Sequence, residues 1–320
     1  MTLLTSGFSR ARVPCPAPRS VRVSASRPRR RAAPAADRKE SRDARRPRGP
    51  RPSPSPLPSA GPEEPALSAV RNFRDVGGLP TRDGRRTRRG VLFRSGHLAH
   101  ATETDAAYLA GLGLHSVFDF RNAADRALEG PDVELPGVRN VHLPLNDPAD
   151  GAEFWRIVRD GEVGQLRAAL GEGRAEARME ASYRQLIKER TAEHGRLLRA
   201  IAEDSVPALL HCAAGKDRAG TSIALVLLAV GVEEEAIEED YLKSDARHRR
   251  YRVSRGKDAV APTAPEVAEL LDPLFAARAS YLRAAFETID THWGGRERYF
   301  GEVLGMDGAL RERLRERLVE

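Results

Sequence analysis

The spacing of apolar residues changes several times between residues 66 and 320, and the changes predict strands that alternate with helices. Short uninterrupted apolar runs are typical of buried strands, whereas apolar residues three and four positions apart are typical of helices that pack on one face. Strands separated by helices favour a mainly parallel sheet covered by helices on both faces. The expected fold class is therefore α/β. The runs that predict strands are Val91–Arg94, His115–Phe120, Val138–Leu145 and Pro207–Leu210.

Several helix boundaries have recognisable signals. Thr102 and Asp105 have the spacing of a capping box, and Gly113 is the expected stop of the helix that they begin. Residues Thr221–Val230 are apolar on all sides, which is typical of a helix buried against a sheet. A mostly helical region is predicted over 152–203, with breaks near 161–164 and 171–173, and a further helix over 233–250. The helix predicted over 264–289 has Thr263 and Glu266 as its cap and a bend or break at Pro273. The last predicted helix covers 308–319, where Leu310, Leu314 and Leu318 form one packing stripe.

Charge divides the chain near residue 65. Residues 1–60 carry 15 Lys and Arg against three acidic residues, whereas the remaining 260 residues carry 38 basic and 43 acidic side chains. Of the 22 prolines, 13 precede Ala66. A basic, proline-rich segment with few large apolar residues buries too little surface to offset its ordering entropy. We therefore expect a disordered tail over residues 1–65 and one folded domain over residues 66–320.

The tail leaves several interpretations open. No acidic residue precedes Asp37, so residues 1–36 would suit an organellar targeting segment, or a start codon assigned too far upstream. The tail arginines would also suit binding to nucleic acid or to an anionic membrane. No secretory signal is visible, and the longest apolar run, Ile223–Val232, is about half of what a membrane-spanning helix needs. A cytoplasmic location without a transmembrane segment is therefore the default expectation.

Only two cysteines occur, Cys15 in the tail and Cys212 in the domain. This number excludes a disulfide framework and a multi-cysteine metal site, and we expect neither a metal nor another cofactor. A lone cysteine in a domain is either an inert buried residue or a working thiol. Its neighbours in the sequence decide between the two.

The segment around Cys212 combines the parts of an anion site. An apolar strand leads into His211 and Cys212, five residues separate Cys212 from Arg218, and an apolar helix follows. The first amides of a helix and its positive dipole end bind anions and favour a thiolate. A guanidinium can hold two oxygens of a tetrahedral anion as a fork. The expected phosphate-binding residues are Ala213, Ala214, Gly215, Lys216, Asp217 and Arg218, with Gly220 allowing the helix to approach the sheet.

These residues match the pattern of a known family. His211-Cys212-X5-Arg218 resembles the signature loop of cysteine-dependent protein tyrosine phosphatases. The fuller pattern His-Cys-X-X-Gly-Lys-Asp-Arg-X-Gly resembles the bacterial, PtpB-like members, and the resemblance runs from about Val70 to Leu318. Further segments that are similar to the family are Asn72–Gly78, Asp83–Arg85, Phe93–Gly96, Phe118–Arg121 and Gly294–Tyr299.

The resemblance implies a phosphatase whose catalytic domain, residues 66–320, works in two steps. The Cys212 thiolate would attack phosphorus to form a phosphocysteine, which water then hydrolyses, while Arg218 and the loop amides stabilise the phosphate oxygens. Asp217 is the implied general acid, with Asp147 and Asp150 as alternatives, and His211 would support the loop by hydrogen bonding. The implied substrates are phosphotyrosine proteins. Phosphoserine, phosphothreonine and phosphoinositides stay open, as does the oligomeric state, and no nucleic acid is needed for activity.

Three features of the domain allow more than one interpretation. Lys216 would either neutralise an additional phosphate or be a solvated loop lysine. Ala219 stands where relatives usually have Ser or Thr, so we expect slow hydrolysis of the phosphoenzyme. The basic segment Lys243–Lys257 would steer an anionic substrate, form a lid, or lie on a solvated helix face. Four further residues match family positions, and we expect them to hold loops together rather than touch substrate: Arg74, Asp75, Arg94 and Arg121.

Other functions fit the same loop less well. A phosphate-binding module without chemistry would need no thiol beside the arginine. An arsenate reductase would need further cysteines, which the domain lacks, whereas a rhodanese uses a similar cysteine loop. The phosphatase is therefore the leading hypothesis, and a phosphoinositide phosphatase with the same mechanism is its main alternative.

Overall fold

A five-stranded sheet forms the centre of the protein. The structure is a computed structural model that describes residues 67–147, 151–251 and 264–320. The strand order is β1-β2-β5-β3-β4, in which β1 runs antiparallel to β2 and the other neighbours are parallel. The expected mainly parallel α/β sheet is confirmed. The strands are β1 (Arg74–Asp75), β2 (Leu92–Ser95), β3 (Ser116–Asp119), β4 (Arg139–His142) and β5 (Ala208–His211).

Twelve α-helices lie in the described part of the chain. A 3₁₀ turn, Lys243–Asp245, follows the eighth, and a π-helical turn, Tyr299–Val303, follows the eleventh. None of the described helices combines the length and the apolar character that crossing a bilayer requires. The helices are α1 (Glu103–Gly111), α2 (Ala123–Glu129), α3 (Ala152–Asp160), α4 (Val163–Leu170), α5 (Arg174–Glu189), α6 (Thr191–Glu203), α7 (Asp217–Ala229), α8 (Glu234–Leu242), α9 (Pro265–Phe275), α10 (Ala279–Trp293), α11 (Arg296–Arg298) and α12 (Gly308–Leu318).

Alternate strand residues supply two hydrophobic cores, one on each face of the sheet. Side chains point to opposite faces at successive strand positions, so one strand serves both cores. Leu210 of β5 belongs to the larger core, which includes residues of α4 to α10 and of α12. Leu209 belongs to the smaller core, together with Leu109 of α1. The central strand β5 is buried over its full length and fixes where the chain emerges at the carboxyl edge of the sheet.

The sequence signals located several elements correctly. Thr102 and Asp105 form the predicted capping box of α1, and the predicted breaks divide 152–203 near 161–164 and 171–173. The apolar helix predicted over Thr221–Val230 is confirmed as α7, which begins earlier, at Asp217, and is buried through most of its length. The three leucines of the predicted stripe on α12 are all buried.

Two helix predictions are wrong in extent. The helix predicted over 233–250 ends at Leu242 and is followed by the 3₁₀ turn. Asp245, at the end of that turn, accepts hydrogen bonds from the side chain of Arg250 and from the amide of Ala277, at 2.9 Å for the amide. The helix predicted over 264–289 continues past Pro273 to Phe275 and breaks after it. Pro273 lies in the last turn of α9, where its missing amide removes a single bond.

Three further local features differ from the sequence predictions or fall outside them. Thr263, the predicted cap of α9, lies outside the described residues, and Ala264 occupies the N-cap position. The two-residue strand β1 and the helix α2 were not predicted. A signal for α2 exists, because Asn122 and Asp125 have capping-box spacing and form the box. Residues 1–66 also lie outside the described residues, so the tail remains a sequence-based expectation.

His194 on α6 makes the stability of the fold sensitive to acid. The imidazole is buried, and neither ring nitrogen has a hydrogen-bond partner among the described residues. Burial, with a smaller contribution from Arg190, lowers the pKa of His194 to about 3. The unfolded chain therefore binds more protons than the folded chain between about pH 3 and pH 6.5, and stability falls as the pH falls through that window.

We expect the protein to lose about 2 kcal/mol of unfolding free energy at His194 between pH 7 and pH 5. In the His194→Leu variant this loss should disappear, because no hydrogen bond is broken and no buried base remains to be protonated. Urea unfolding at the two pH values measures the difference. The exposed His292 provides the control, since His292→Leu should keep the wild-type pH dependence. An unchanged pH dependence in His194→Leu would contradict the assignment.

Candidate active site

The predicted signature loop, Cys212–Lys216, joins the carboxyl end of β5 to the amino end of α7. Because β5 is the central strand and α7 is buried, both ends of the loop are rigidly held. Gly215 has a φ of +67°, and a Cβ there would lie 2.3 Å from the carbonyl oxygen of Ser95. Glycine is thus required at this position by backbone conformation and by space.

The carbonyl groups of the loop are held on the side away from the pocket. The Asn72 side-chain amide donates to the carbonyls of Ala214 and Gly215, at 3.1 and 3.0 Å, and Arg94 donates to the carbonyl of Gly215 at 2.7 Å. The amide of His97 donates to the carbonyl of Ala213 at 3.2 Å. The N–H and C=O groups of a peptide unit point in opposite directions. The amides that follow these carbonyls are therefore directed toward the pocket, where an anion would meet them.

A buried ion network supports Arg94 beneath the loop. Asp240 of α8 lies 2.8 Å from Nε of Arg74 and 3.0 Å from Nη1 of Arg94, and all three side chains are buried. Burial and Arg74 lower the pKa of Arg94 to about 10, although Asp240 and Cys212 oppose this, so Arg94 stays charged at neutral pH. Arg94 contacts the loop carbonyls from beneath, and Arg74 donates to the hydroxyl of Ser244 at 3.1 Å. None of the three charged residues of the network lines the pocket itself.

The expectation that four family-matching residues hold loops together is confirmed. Arg74 and Arg94 do so through Asp240, and Arg121 forms a buried pair with Asp119, with 2.9 Å between Nε and Oδ1. Asp75 accepts hydrogen bonds from the amides of Gly77 and Gly90, at 2.8 and 2.7 Å.

Arg218 and Cys212 line the same pocket, as the motif predicts. Cys212 is 1% exposed, and Arg218 is the second residue of α7. The Arg218 guanidinium donates to Asn146 at 2.8 Å and to the carboxylate of Asp125. Burial opposes the charged form of Arg218, but Asp125 and Cys212 outweigh it and raise the pKa of Arg218. Asp125 was not among the predicted site residues, although its capping-box spacing with Asn122 places it in the first turn of α2.

Asp217 is the first residue of α7 and lines the pocket. Its carboxylate accepts a hydrogen bond of 2.7 Å from the hydroxyl of Tyr183, which in turn lies 2.7 Å from the hydroxyl of Tyr241. Burial, together with the charge of Asp217, raises the pKa of Tyr183, so the hydroxyl remains a donor at neutral pH. Tyr183 therefore fixes the orientation of Asp217, and nothing in the local sequence pattern indicated this contact.

Lys216 is buried, so the interpretation as a solvated loop lysine is wrong. Its side chain is 4% exposed, and Nζ donates to the carbonyls of Leu274 and Ala276, at 2.8 and 2.9 Å. Nζ also lies 3.3 Å from Asp217. The ammonium group thus holds the turn between α9 and α10 against the loop.

The other residues predicted for the site do not all lie at the pocket. Asp147 is exposed and is not part of the pocket wall, and Asp150 lies outside the described residues. His211 is buried, and its Nε2 lies 3.1 Å from the carboxylate of Asp132. Burial alone would raise the pKa of Asp132, but the stronger combined effect of His211 and Arg121 lowers it to about 2. Nδ1 of His211 has no partner in the part of the chain that the structure describes. Ala219 is buried in the larger core.

The pocket has a volume of about 210 Å³ and both aromatic and charged walls. The aromatic wall comprises Trp155, Tyr251 and Phe275, and Tyr251 and Phe275 have ring centroids 6.0 Å apart. Of the basic segment, Arg249 and Arg250 line the pocket, and Arg250 forms ion pairs with Asp245 and Asp272, at 2.7 and 2.6 Å. Residues 252–257 of that segment lie outside the described residues, so its predicted roles as a lid or a steering surface stay predictions.

Comparison with known proteins agrees with this arrangement. The family model described as "Tyrosine phosphatase family" matches residues 65–320. A protein assigned as a tyrosine-protein phosphatase in Cupriavidus necator is 32% identical over 256 residues, covering 78% of this chain and 87% of the relative. The triple specificity protein phosphatase PtpB of Mycobacterium tuberculosis is 34% identical over 274 residues, covering 78% of this chain and 96% of the relative.

The chain belongs to the tyrosine phosphatase family. It is a protein-tyrosine phosphatase, a hydrolase of phosphoproteins or other phosphomonoesters, and the family mechanism proceeds through a phosphocysteine intermediate.

Proposed function

We propose that Cys212 is the nucleophile of this phosphatase and that the loop from Ala213 to Arg218 binds the phosphate. The Cys212 thiolate forms a bond to phosphorus while the bond from phosphorus to the leaving oxygen breaks, and Asp217 donates a proton to that oxygen. A water molecule then attacks phosphorus and gives a proton back to Asp217, and the thiolate leaves. The observation that carries the proposal is that Cys212, Arg218 and Asp217 meet in one pocket at the amino end of α7.

Arg218 is proposed to stabilise the transferring phosphoryl group. Its guanidinium donates to the side chains of Asp125 and Asn146, and a bound phosphate would compete with both for it. A dianionic phosphate offers two oxygens to the fork of the guanidinium, whereas the carboxylate of Asp125 receives only Nη1. Substrate binding therefore replaces a contact through one guanidinium nitrogen with a contact through two, and the loop amides add further donors to the phosphate.

Asp217 is the proposed general acid because the structure holds it at the pocket wall. Its side chain is 27% exposed, and Tyr183 and Lys216 fix it from the protein side. Asp147, one of the alternatives, is exposed and lies outside the pocket wall.

The Asp217→Asn variant should lose activity in proportion to the basicity of the leaving group. For a phosphotyrosine peptide, whose leaving phenolate needs a proton, we expect kcat to fall about 100-fold or more. For an activated aryl phosphate with an acidic phenol, the fall should be much smaller. The control is Asp147→Asn, which should leave both rates near the wild-type value. Equal losses on the two substrates, or a larger loss in Asp147→Asn, would remove Asp217 from this role.

Phosphotyrosine in proteins is the proposed substrate class. The aromatic wall formed by Trp155, Tyr251 and Phe275 suits a phenyl ring above the signature loop. Lys216 argues against a multiply phosphorylated lipid, because its ammonium is bound to two carbonyls and would have to leave them to reach a second phosphate. We therefore propose that Lys216 contributes its amide, rather than its ammonium, to phosphate binding.

A substrate panel tests this order of preference. The panel consists of phosphotyrosine, phosphoserine and phosphothreonine peptides of one sequence and of phosphoinositides in mixed micelles. The expected result is the highest kcat/KM on the phosphotyrosine peptide. A higher kcat/KM on phosphoinositides would overturn the proposed substrate class without affecting the proposed mechanism.

A further inference from the structure

Two histidines and a glutamate meet at the rim of the active-site pocket. His97 and His100 lie on the loop after β2, three positions apart, and Glu129 is the last residue of α2. One ligand atom from each lies within 4.8 Å of the other two. Glu129 also lines the pocket that holds Cys212. This group plays no part in the proposed phosphoryl transfer.

The distances suit a small tetrahedral cation. Nε2 of His97 lies 3.3 Å from Oε2 of Glu129, and Nε2 of His100 lies 4.0 Å from the same oxygen. A tetrahedral zinc ion with bonds of about 2.0–2.1 Å separates its ligand atoms by roughly 3.4 Å. The pair of His97 and Glu129 already has this separation. The side chain of His100 is 65% exposed, and a shift of its Nε2 by less than 1 Å toward Oε2 of Glu129 would give this pair the same separation.

The glutamate is held in place by a second contact. The hydroxyl of Tyr251 donates to Oε1 of Glu129, while Oε2 faces the two imidazoles. Metal-binding carboxylates are commonly oriented by such an outer hydrogen bond. Imidazole and carboxylate groups form the ligand set of many zinc sites that keep an open coordination position.

A second cluster of acidic and histidine side chains is already paired with an arginine of the protein. Asp119, Asp132 and His211 also lie within reach of one another, but the guanidinium of Arg121 lies 2.9 Å from Asp119 and 2.8 Å from Asp132. A protein cation therefore already neutralises both carboxylates of that cluster. At the rim, the charge of Glu129 faces two histidines and the tyrosine hydroxyl.

We propose that His97, His100 and Glu129 bind a divalent cation of the zinc class at the rim of the pocket. The site is independent of the Cys212 thiol, and water would complete the coordination. It is also connected to the signature loop, because the amide of His97 donates to the carbonyl of Ala213. A bound ion would thus fix the rim against the loop.

Metal titration of the Cys212→Ser protein tests the proposal without any dependence on turnover. The serine background removes the pocket thiol of Cys212 as a competing ligand, and failure of the phosphatase proposal would leave the result unaffected. We expect about one Zn²⁺ per chain, measured by competition with a chromophoric chelator. Co²⁺ should give the visible absorption of a tetrahedral site with nitrogen and oxygen ligands and without thiolate charge transfer.

The ligand variants His100→Ala and Glu129→Gln should each weaken Zn²⁺ binding at least tenfold. His100 is exposed, and glutamine keeps the volume of Glu129, so both variants should fold, which the thermal unfolding midpoint checks. His292→Ala, which removes an exposed histidine on α10, should bind like the parent. Equal Zn²⁺ affinity in all four proteins, or binding that appears only when Cys212 is present, would overturn the proposal.

Discussion

The Cys212→Ser variant is expected to lose at least about 10⁴-fold in kcat on an aryl phosphate or a phosphotyrosine peptide. A serine hydroxyl stays protonated at neutral pH and is a far weaker nucleophile than a cysteine sulfur. The exchange of sulfur for oxygen hardly changes volume at a residue that is 1% exposed, so the fold should be retained. Steady-state kinetics measures the loss, and unfolding by urea checks the fold.

The chain offers a matched control for this substitution. Cys15 is the only other cysteine of the sequence, and Cys15→Ser should keep wild-type kinetics. Inorganic phosphate should still protect Cys212→Ser against thermal unfolding, because Arg218 and the loop amides remain in place. Residual activity of Cys212→Ser above about one tenth of the wild-type value would rule out the thiol as nucleophile.

The Arg218→Lys variant should lower kcat by about 10²- to 10³-fold, the cost of removing a main donor to a transition-state anion. Lysine keeps the charge but cannot form the fork that binds two phosphate oxygens at once. It would also exchange the contacts that Arg218 makes with Asp125 and Asn146 for those of a point charge.

Arg283→Lys is a suitable control for this prediction, since Arg283 lies on α10 with an exposed side chain paired with Glu238. That variant should behave like the wild type. The kinetic form of the loss distinguishes the proposed role from a binding role. A rise in KM with unchanged kcat would mean that Arg218 binds substrate and transition state equally, which contradicts the account.

The local parts of the site could be predicted from the sequence because they depend on neighbouring residues. The loop from Cys212 to Arg218 is contiguous, and its position between a strand and a buried helix follows from the apolar pattern around it. The capping box of α1 and the leucine stripe of α12 are local patterns of the same kind.

Contacts between distant residues could not be predicted in this way. The partner of Arg218 is Asp125, 93 residues earlier, and the hydroxyl that orients Asp217 belongs to Tyr183, 34 residues earlier. Lys216 shows the same limit, because its burial depends on two carbonyls that lie 58 and 60 residues further along the chain. A sequence pattern specifies the lysine, but only the packing of α9 and α10 determines what its ammonium contacts.

The net charge of the folded part of the chain differs in sign from the charge near its pocket. Residues after 60 carry a net charge of −5, from 38 basic and 43 acidic side chains, yet the domain must attract a phosphate dianion. Arg218 supplies positive charge at the pocket, and Arg94 supplies it directly beneath the loop. Asp240 stabilises the buried charge of Arg94 without lying in the pocket wall. Positive side chains therefore lie at and beneath the proposed phosphate site, although the net charge of residues 61–320 is negative.

Trapping of the phosphoenzyme determines whether the phosphoryl group is transferred to Cys212. Wild-type protein is mixed with a phosphotyrosine peptide, quenched in acid within the first turnover, digested and examined by mass spectrometry. We expect one phosphate per chain on the peptide that contains Cys212, and none in Cys212→Ser. Phosphate on a different residue, or rapid turnover by Cys212→Ser, would contradict this expectation.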